Sequence, residues 1–243
     1  MVPRVAVITG GAKGLGQACA RRLAADGLAV CLIGTDEQAL AAASDELASL
    51  GADVLGVTAD VRSQDACHRA VASAVERFGR VDVLVNAAGV YPRRPVLEIT
   101  ADDWQHVFQV NVLGTYFMMV EAIADMRGRG SGHIVNISSV DGLKAHPGNA
   151  HYAATKAAVI SLTRSLALEV APLGILVNSV APGPMATETA KLTDWYEPMV
   201  AALPTRHPIE PEEIANLVAY LCGPGNVSVA GETIVVSGGA VIV

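Results

Sequence analysis

The chain has 243 residues, 51% of them hydrophobic and 17% charged, with a formal net charge of −7. This length suits one large α/β domain with a single filled core, and the composition excludes a disordered chain. The acidic balance, with no run of Lys or Arg, excludes an extended nucleic-acid surface. Cys19, Cys31, Cys67 and Cys222 are scattered and form no Cys-x-x-Cys pair. They read as free thiols in a reducing compartment, and no metal site is expected. "MVPRVAVITGG" enters a strand pattern directly, without signal-peptide architecture, and no uncharged apolar run approaches the ~18 residues of a membrane span. A cytoplasmic setting with no membrane contact is the expectation.

The first strand candidate, "VAVITG" (5–10), runs into "TGGAKGLG" and then a helix carrying Ala18, Ala20 and Leu23. Strand, glycine turn and helix together are the context in which a turn cradles phosphate. Missing side chains let the backbone approach a pyrophosphate, and the helix N-terminus supplies N–H donors. The spacing here is G-x-x-x-G-x-G, through Gly10, Gly14 and Gly16. Tight strand–helix packing uses glycine too, so the turn is one signal among several.

Six further strand candidates follow: "AVCLIG" (29–34), "DVLGVTAD" (53–60), "VDVLVNAAG" (81–89), "HIVNISS" (133–139), "ILVNSVAPG" (175–183) and "ETIVVSGG" (232–239). Several are apolar nearly throughout, the pattern of strands covered on both faces of a parallel sheet. Helices lie between them. "DEQALAAASDELASLG" sets Leu40, Ala43, Leu47 and Leu50 on one stripe and ends at Gly51, a C′ residue. Thr100 and Asp103 form a capping box with the shorter acid. Pro211 and Gly223 bracket a helix near the C-terminus. Alternating β and α units predict a doubly wound α/β sheet of about seven parallel strands, one domain over 1–243, with ligands beyond the strands' carboxyl ends. Residues 184–210, with four prolines, are the weakest regular signal and read as a flap over the site.

One pair stands out. Tyr152 and Lys156 in "HYAATKAAVISLTRSL" are one turn apart and share a helix face. An ammonium beside a phenol favours the phenolate, and so would lower the tyrosine from its usual pKa of about 10. For this pair alone, a packed Tyr and a solvated Lys explain the sequence as well.

Taken in order, "TGGAKGLG", Asp60 in "ADV", "NAAG" (86–89), Asn111 in "QVNV", "NISS" (136–139), "YAATK" (152–156) and "NSVAPGPMAT" (178–187) resemble the short-chain dehydrogenase/reductase family in its compact single-domain branch, over essentially the whole chain. The resemblance implies a Rossmann-like fold and an NAD(P)-dependent oxidoreductase acting on a ketone or secondary alcohol. It implies that Tyr152 is the acid/base and that Lys156 depresses its pKa and holds the nicotinamide ribose. Ser139, thirteen residues before Tyr152, would hydrogen-bond the substrate oxygen, with Ser138 structural. Asn111 would be the fourth member, holding a water that relays protons from Lys156; a satisfied buried amide accounts for it equally. For the cofactor, the resemblance implies Gly10, Lys13, Gly14, Leu15 and Gly16 at the phosphates. Asp60, with Val61, would sit at the adenine, although an ordinary turn aspartate is the alternative there. Asn86, Ala87 and Gly89 would line the cleft, with Ala87 where the family often has a second Asn. Pro182, Gly183 and Thr187 would grip the nicotinamide end.

The choice of cofactor turns on "CLIGTDEQ" at the end of the second strand. Family members using NAD usually carry Asp where this chain has Gly34, and Thr35 and Asp36 follow. Asp36 could reach the ribose, or it could cap the next helix, where Thr35 and Gln38 also make a capping box. The reading leans to NADP, with NAD as the alternative. Candidate pocket residues are Tyr91, Asp141, Lys144, His146, His151, Pro184, Met185, Trp195 and Tyr196. They do not distinguish a 3-oxoacyl thioester from a polyol or another ketone. The apolar helices around Asn111 and Tyr152 fit a subunit interface, and the family analogy makes a homotetramer or dimer the expectation, with residues 231–243 reaching a neighbour. A non-catalytic cofactor-sensing or scaffold protein on the same fold is the alternative function. An epimerase or dehydratase of the longer branch is disfavoured by the short chain.

Overall fold

A computed structural model of the chain describes residues 3–242. Met1 and Val2 of the opening stretch and Val243 of the C-terminal run lie outside the described residues. Seven strands, β1 (Val5–Thr9), β2 (Ala29–Gly34), β3 (Val54–Thr58), β4 (Val83–Asn86), β5 (Gly132–Ile137), β6 (Ile175–Pro182) and β7 (Thr233–Val236), form one parallel sheet in the order β3-β2-β1-β4-β5-β6-β7. Successive side chains leave opposite faces of a strand. Ala6 and Ile8 therefore enter one core, with Val30, Leu32, Val83, Val85 and Val135. Val7 enters the other, with Cys31, Ile33, Leu84 and Ile134. Both faces are covered by helices, which is why these strands read as continuous apolar runs.

Helices α1 (Gly14–Ala25), α2 (Glu37–Ser49) and α9 (Pro211–Cys222) contribute buried residues to the first core. Helices α3 (Gln64–Phe78), α5 (Thr115–Met126) and α6 (Ala150–Val170) cover the other face. The capping box of Thr100 and Asp103 opens α4 (Ala101–Phe108). The stripe on α2 buries Leu40, Ala43 and Leu47. Leu50 is 73% exposed, because it is the C-cap and lies past the last packed turn. Asp36, not Thr35, caps this helix, accepting from Ala39 N at 3.0 Å.

From Ala101 to Arg129 the chain is helical for 29 residues, with an 18-residue window of mean hydropathy 1.4, long and apolar enough by composition to span a membrane. A π-helical segment, Gln109–Gly114, joins α4 to α5 and makes one run of what the sequence breaks with polar residues. Its Met118, Met119, Ala122 and Met126 are fully buried in the core beneath the sheet.

The strand order reverses direction at β1 and β4, so their carboxyl ends diverge into a crevice. Thr9 Oγ1 accepts from Ala87 N (3.1 Å) and Ala88 N (3.0 Å), tying the two exits together. Residues 184–210 form two short helices, α7 (Glu188–Lys191) and α8 (Tyr196–Ala201), around a small core of Ala186, Ala190 and Tyr196.

Candidate active site

A cleft of about 390 Å³ opens beyond β1, β4, β5 and β6. At one end stands the glycine turn. Gly10 and Gly14 have φ of +65° and +50°, which L side chains rarely adopt, and a Cβ on Gly16 would lie 2.2 Å from the Gly10 carbonyl oxygen. The turn delivers the chain into α1, whose first turn contains no acidic residue. A backbone cradle at a helix N-terminus, floored by glycine, fits a dinucleotide pyrophosphate. Lys13 reaches across to Asp36, Nζ to Oδ2 at 2.7 Å, so both of the Asp36 oxygens are engaged. That ion pair holds the Asp36 carboxyl below the usual range.

At the other end stand Ser139, Tyr152 and Lys156. Ser139 follows β5 and accepts from Asp141 N at 3.1 Å. Tyr152 and Lys156 lie on the first turns of α6. The interior fixes their placement. Asn86 Nδ2 donates to Asn136 Oδ1 (2.9 Å), Asn136 Nδ2 to Thr163 Oγ1 (2.9 Å), and Thr163 Oγ1 to Val159 O (2.8 Å), which links β4, β5 and α6. Gly142 passes so close to α6 that a Cβ there would lie 2.8 Å from Ala157 N.

The electrostatics differ from the sequence expectation. Lys156 Nζ donates to Ile137 O at 2.8 Å and lies 5.7 Å from the centre of the Tyr152 ring. Burial pushes the phenol well above its ordinary value. The Ser139 hydrogen bond opposes this, and the Asp141 charge adds to it. Burial also brings Lys156 down to about 8. In the open cleft desolvation, not a lysine–tyrosine attraction, sets both groups.

Of the residues expected in the site, the cleft wall includes Gly10, Lys13, Gly14, Leu15, Gly16, Ala87, Gly89, Ser139, Tyr152, Lys156, Pro182, Gly183 and Thr187, with Tyr91, Asp141, Pro184, Met185 and Trp195. Others lie outside it. Asn86 points into the interior ladder. Asn111 is 1% exposed in the π segment, and its amide clamps Val90, accepting from its N and donating to its O at 2.9 Å each. Thr35 and Asp36 stand at the end of β2. Asp60 is held by Arg62 at 2.6 Å, and Val61 is buried against Gly114. Lys144 Nζ bonds Ala240 O, and His146 bonds Pro147 O. His151 is fully buried, edge-on to Trp104, and Tyr196 is buried in the flap core. Ser138 does line the cleft, but its hydroxyl is tied to β6, donating to Val180 O at 3.0 Å and accepting from Ser179 Oγ at 2.6 Å.

The sequence reading missed Arg93, Asn149, Thr189 and Met199, which also line the cleft. Arg93 stands in a loop just past the carboxyl end of β4, where this topology places ligand contacts. Asn149 directly precedes α6 but makes no side-chain capping bond, which frees its amide for another partner.

Glycine cradle, crevice at the point of strand reversal and the Ser–Tyr–Lys group on its wall occur in one chain with a seven-stranded parallel sheet, and the chain belongs to the short-chain dehydrogenase family, whose model matches residues 4–197. It is an NAD(P)-dependent oxidoreductase of CH–OH and ketone groups, of the ketoreductase type. A 3-oxoacyl-[acyl-carrier-protein] reductase of Synechocystis sp. is 35% identical over 245 residues, covering 100% of this chain and 98% of that protein. A variant of actinorhodin polyketide ketoreductase solved with NADPH superposes with a TM-score of 0.93 at 35% identity, covering 98% and 97% of the two chains. Levodione reductase gives a TM-score of 0.93 at 32% identity, covering 97% and 96%.

Proposed function

We propose that the protein is an NADPH-dependent ketoreductase in which Ser139, Tyr152 and Lys156 act on the substrate oxygen. The observation that carries this is the convergence of those three side chains on the cleft that the glycine turn opens into. A bound nicotinamide supplies the hydride that reaches the carbonyl carbon. Ser139 Oγ–H donates to the carbonyl oxygen, where negative charge develops. Tyr152, kept protonated by burial, is charged for reduction and gives its proton to that same oxygen. Lys156 reprotonates the phenoxide or stabilises it. Asn111 acts from outside the cleft. By fixing Val90 it holds the loop carrying Gly89, and a Cβ on Gly89 would lie 3.6 Å from Lys156 Nζ.

Preference for NADPH is supported by the end of β2. Lys13, 71% exposed at the glycine turn, is paired with Asp36 at 2.7 Å and would serve a 2′-phosphate by leaving that pair, while Asp36 is already engaged by Lys13 and by Ala39 N; the related polyketide ketoreductase was solved with NADPH. The relatives favour a small-molecule ketone substrate, including 3-oxoacyl thioesters. Four free, buried cysteines support a cytoplasmic setting.

The test is Tyr152→Phe. It is expected to keep NADPH affinity within about threefold while ketone reduction falls by the 10²–10⁴-fold that one proton-transfer group contributes. Undiminished turnover would refute the assignment. Comparison of kcat/KM for NADPH and NADH checks the cofactor choice.

A further inference from the structure

The substrate end of the cleft holds a polar group that the proton relay leaves unused. Asp141 lies two residues past Ser139, in the turn Val140–Gly142, and its own N–H binds Ser139 Oγ at 3.1 Å. Asp141 Oδ2 accepts from Asn149 Nδ2 at 2.6 Å. Asn149 is 2% exposed and stands at the start of α6, so the helix that presents Tyr152 also orients Asp141. A carboxylate only accepts, so the amide nitrogen must face it. That leaves Asn149 Oδ1 buried without a partner. An ionised carboxylate offers roughly four acceptor sites. Among the described residues, Asn149 is the one side-chain donor bonded to Asp141. Burial raises the Asp141 carboxyl above its usual range. A half-buried carboxylate short of donors, on the same wall as Ser139 and Tyr152, is preorganised for a donor that arrives with the substrate.

Resting on the ketoreductase reading above, we propose that Asp141, oriented by Asn149, accepts a hydrogen bond from a hydroxyl on the carbon next to the reacting carbonyl. The substrate class is then the α-hydroxy ketones and their vicinal diols. Position sets the distance: Ser139 binds the carbonyl oxygen, and Asp141 meets the neighbouring atom. Charge sets the donor. Arg93, its guanidinium 4.5 Å above the Trp195 ring, shares the cleft wall with Asp141 and acts on it. It disfavours an ammonium group and leaves a neutral hydroxyl. A 3-oxoacyl thioester carries a methylene between its two carbonyls and gives Asp141 no donor.

The experiment measures kcat/KM for 3-hydroxy-2-butanone and for 2-butanone, with saturating NADPH, in the wild type, Asp141→Ala and Asn149→Ala. The readout is the hydroxy-ketone preference of the wild type divided by that of each variant, which removes the intrinsic reactivity difference between the ketones. The quotient is expected to be about 10–100 for Asp141→Ala, the range of one hydrogen bond to a charged group. For Asn149→Ala it is expected to be roughly threefold or more, since that variant leaves the acceptor present but unheld. A quotient near one for Asp141→Ala overturns the inference. If that variant does not fold, Asp141→Leu, of similar size and without an acceptor, replaces it, and an unchanged preference there is equally fatal. Turnover of neither ketone by the wild type overturns the ketoreductase reading itself.

Discussion

Lys156 combines two demands that conflict. Its ammonium is buried, with the Ile137 carbonyl as its hydrogen-bond partner, and its pKa falls from 10.5 to about 8. A lysine whose folded value lies below its unfolded one costs stability wherever it is charged in the fold. The penalty is complete below pH 8, about 3 kcal/mol by this shift, and disappears as the pH rises from 8 towards 10.5. Lys156→Met removes the penalty but strands the Ile137 carbonyl, which costs about 1–3 kcal/mol. The net of about 0–2 kcal/mol means that the variant is expected to melt up to about 8 °C higher than the wild type at pH 7 without cofactor, while losing activity. A stability gain of the wild type between pH 8 and 10 that the variant lacks would confirm the origin. A lower Tm in differential scanning calorimetry would contradict it. At this scale the Tyr–Lys spacing was legible, because helix periodicity places i and i+4 together. The direction of the phenol's shift was not, because burial by β5 and the flap is a property of contacts distant in sequence.

Among the elements, α6 and the turn Val140–Gly142 matter most, because their separation sets the distance between Ser139 and Tyr152. Gly142 is the spacer: a Cβ there would lie 2.8 Å from Ala157 N, and without it the turn packs directly on the helix. Gly142→Ala is expected to push the turn away from the helix and lower kcat/KM by about 10–100-fold, in keeping with the cost of a displacement near 1 Å. Cofactor affinity, which the proposed function assigns to the glycine turn, should change little. A variant with wild-type kcat/KM would show that the contact is not limiting. The Asn86–Asn136–Thr163 ladder works on the same distance from beneath. Asn136→Ala leaves Asn86 Nδ2 without its partner, while Thr163 Oγ1 keeps its bond to Val159 O, and is expected to cost about 1–3 kcal/mol in urea unfolding. The motif "NISS" marked this strand in the sequence, yet nothing local showed that its asparagine faces a threonine 27 residues on.

In the whole molecule, the long helix from Ala101 presents Trp104, Phe108 and Tyr116, each about 40% exposed, along one side. Leu168 on α6 is 83% exposed. Four-residue spacing puts the aromatics on one stripe, and an apolar stripe of this kind favours a second copy of the chain. The wild type is expected to elute in gel filtration near 100 kDa as a tetramer of 25.1 kDa chains, or near 50 kDa as a dimer. Trp104→Glu with Phe108→Glu should shift it toward the monomer. A wild type that elutes as a monomer would remove this face as an interface.

The order of strands and helices, the parallel sheet and the glycine turn between β1 and α1 were determined by the sequence alone, because each rests on local periodicity and on glycine's access to positive φ. So was the grouping of Tyr152 with Lys156. The tertiary structure decided what those residues experience. It withdrew Asn86 and Asn111 from the cleft into supporting bonds, committed Asp36 to Lys13 and a helix cap, and added Arg93 and Asn149 to the substrate end. Burial and hydrogen-bond partnership are set by segments tens of residues apart, and desolvation then fixes the charge of every group the chemistry uses.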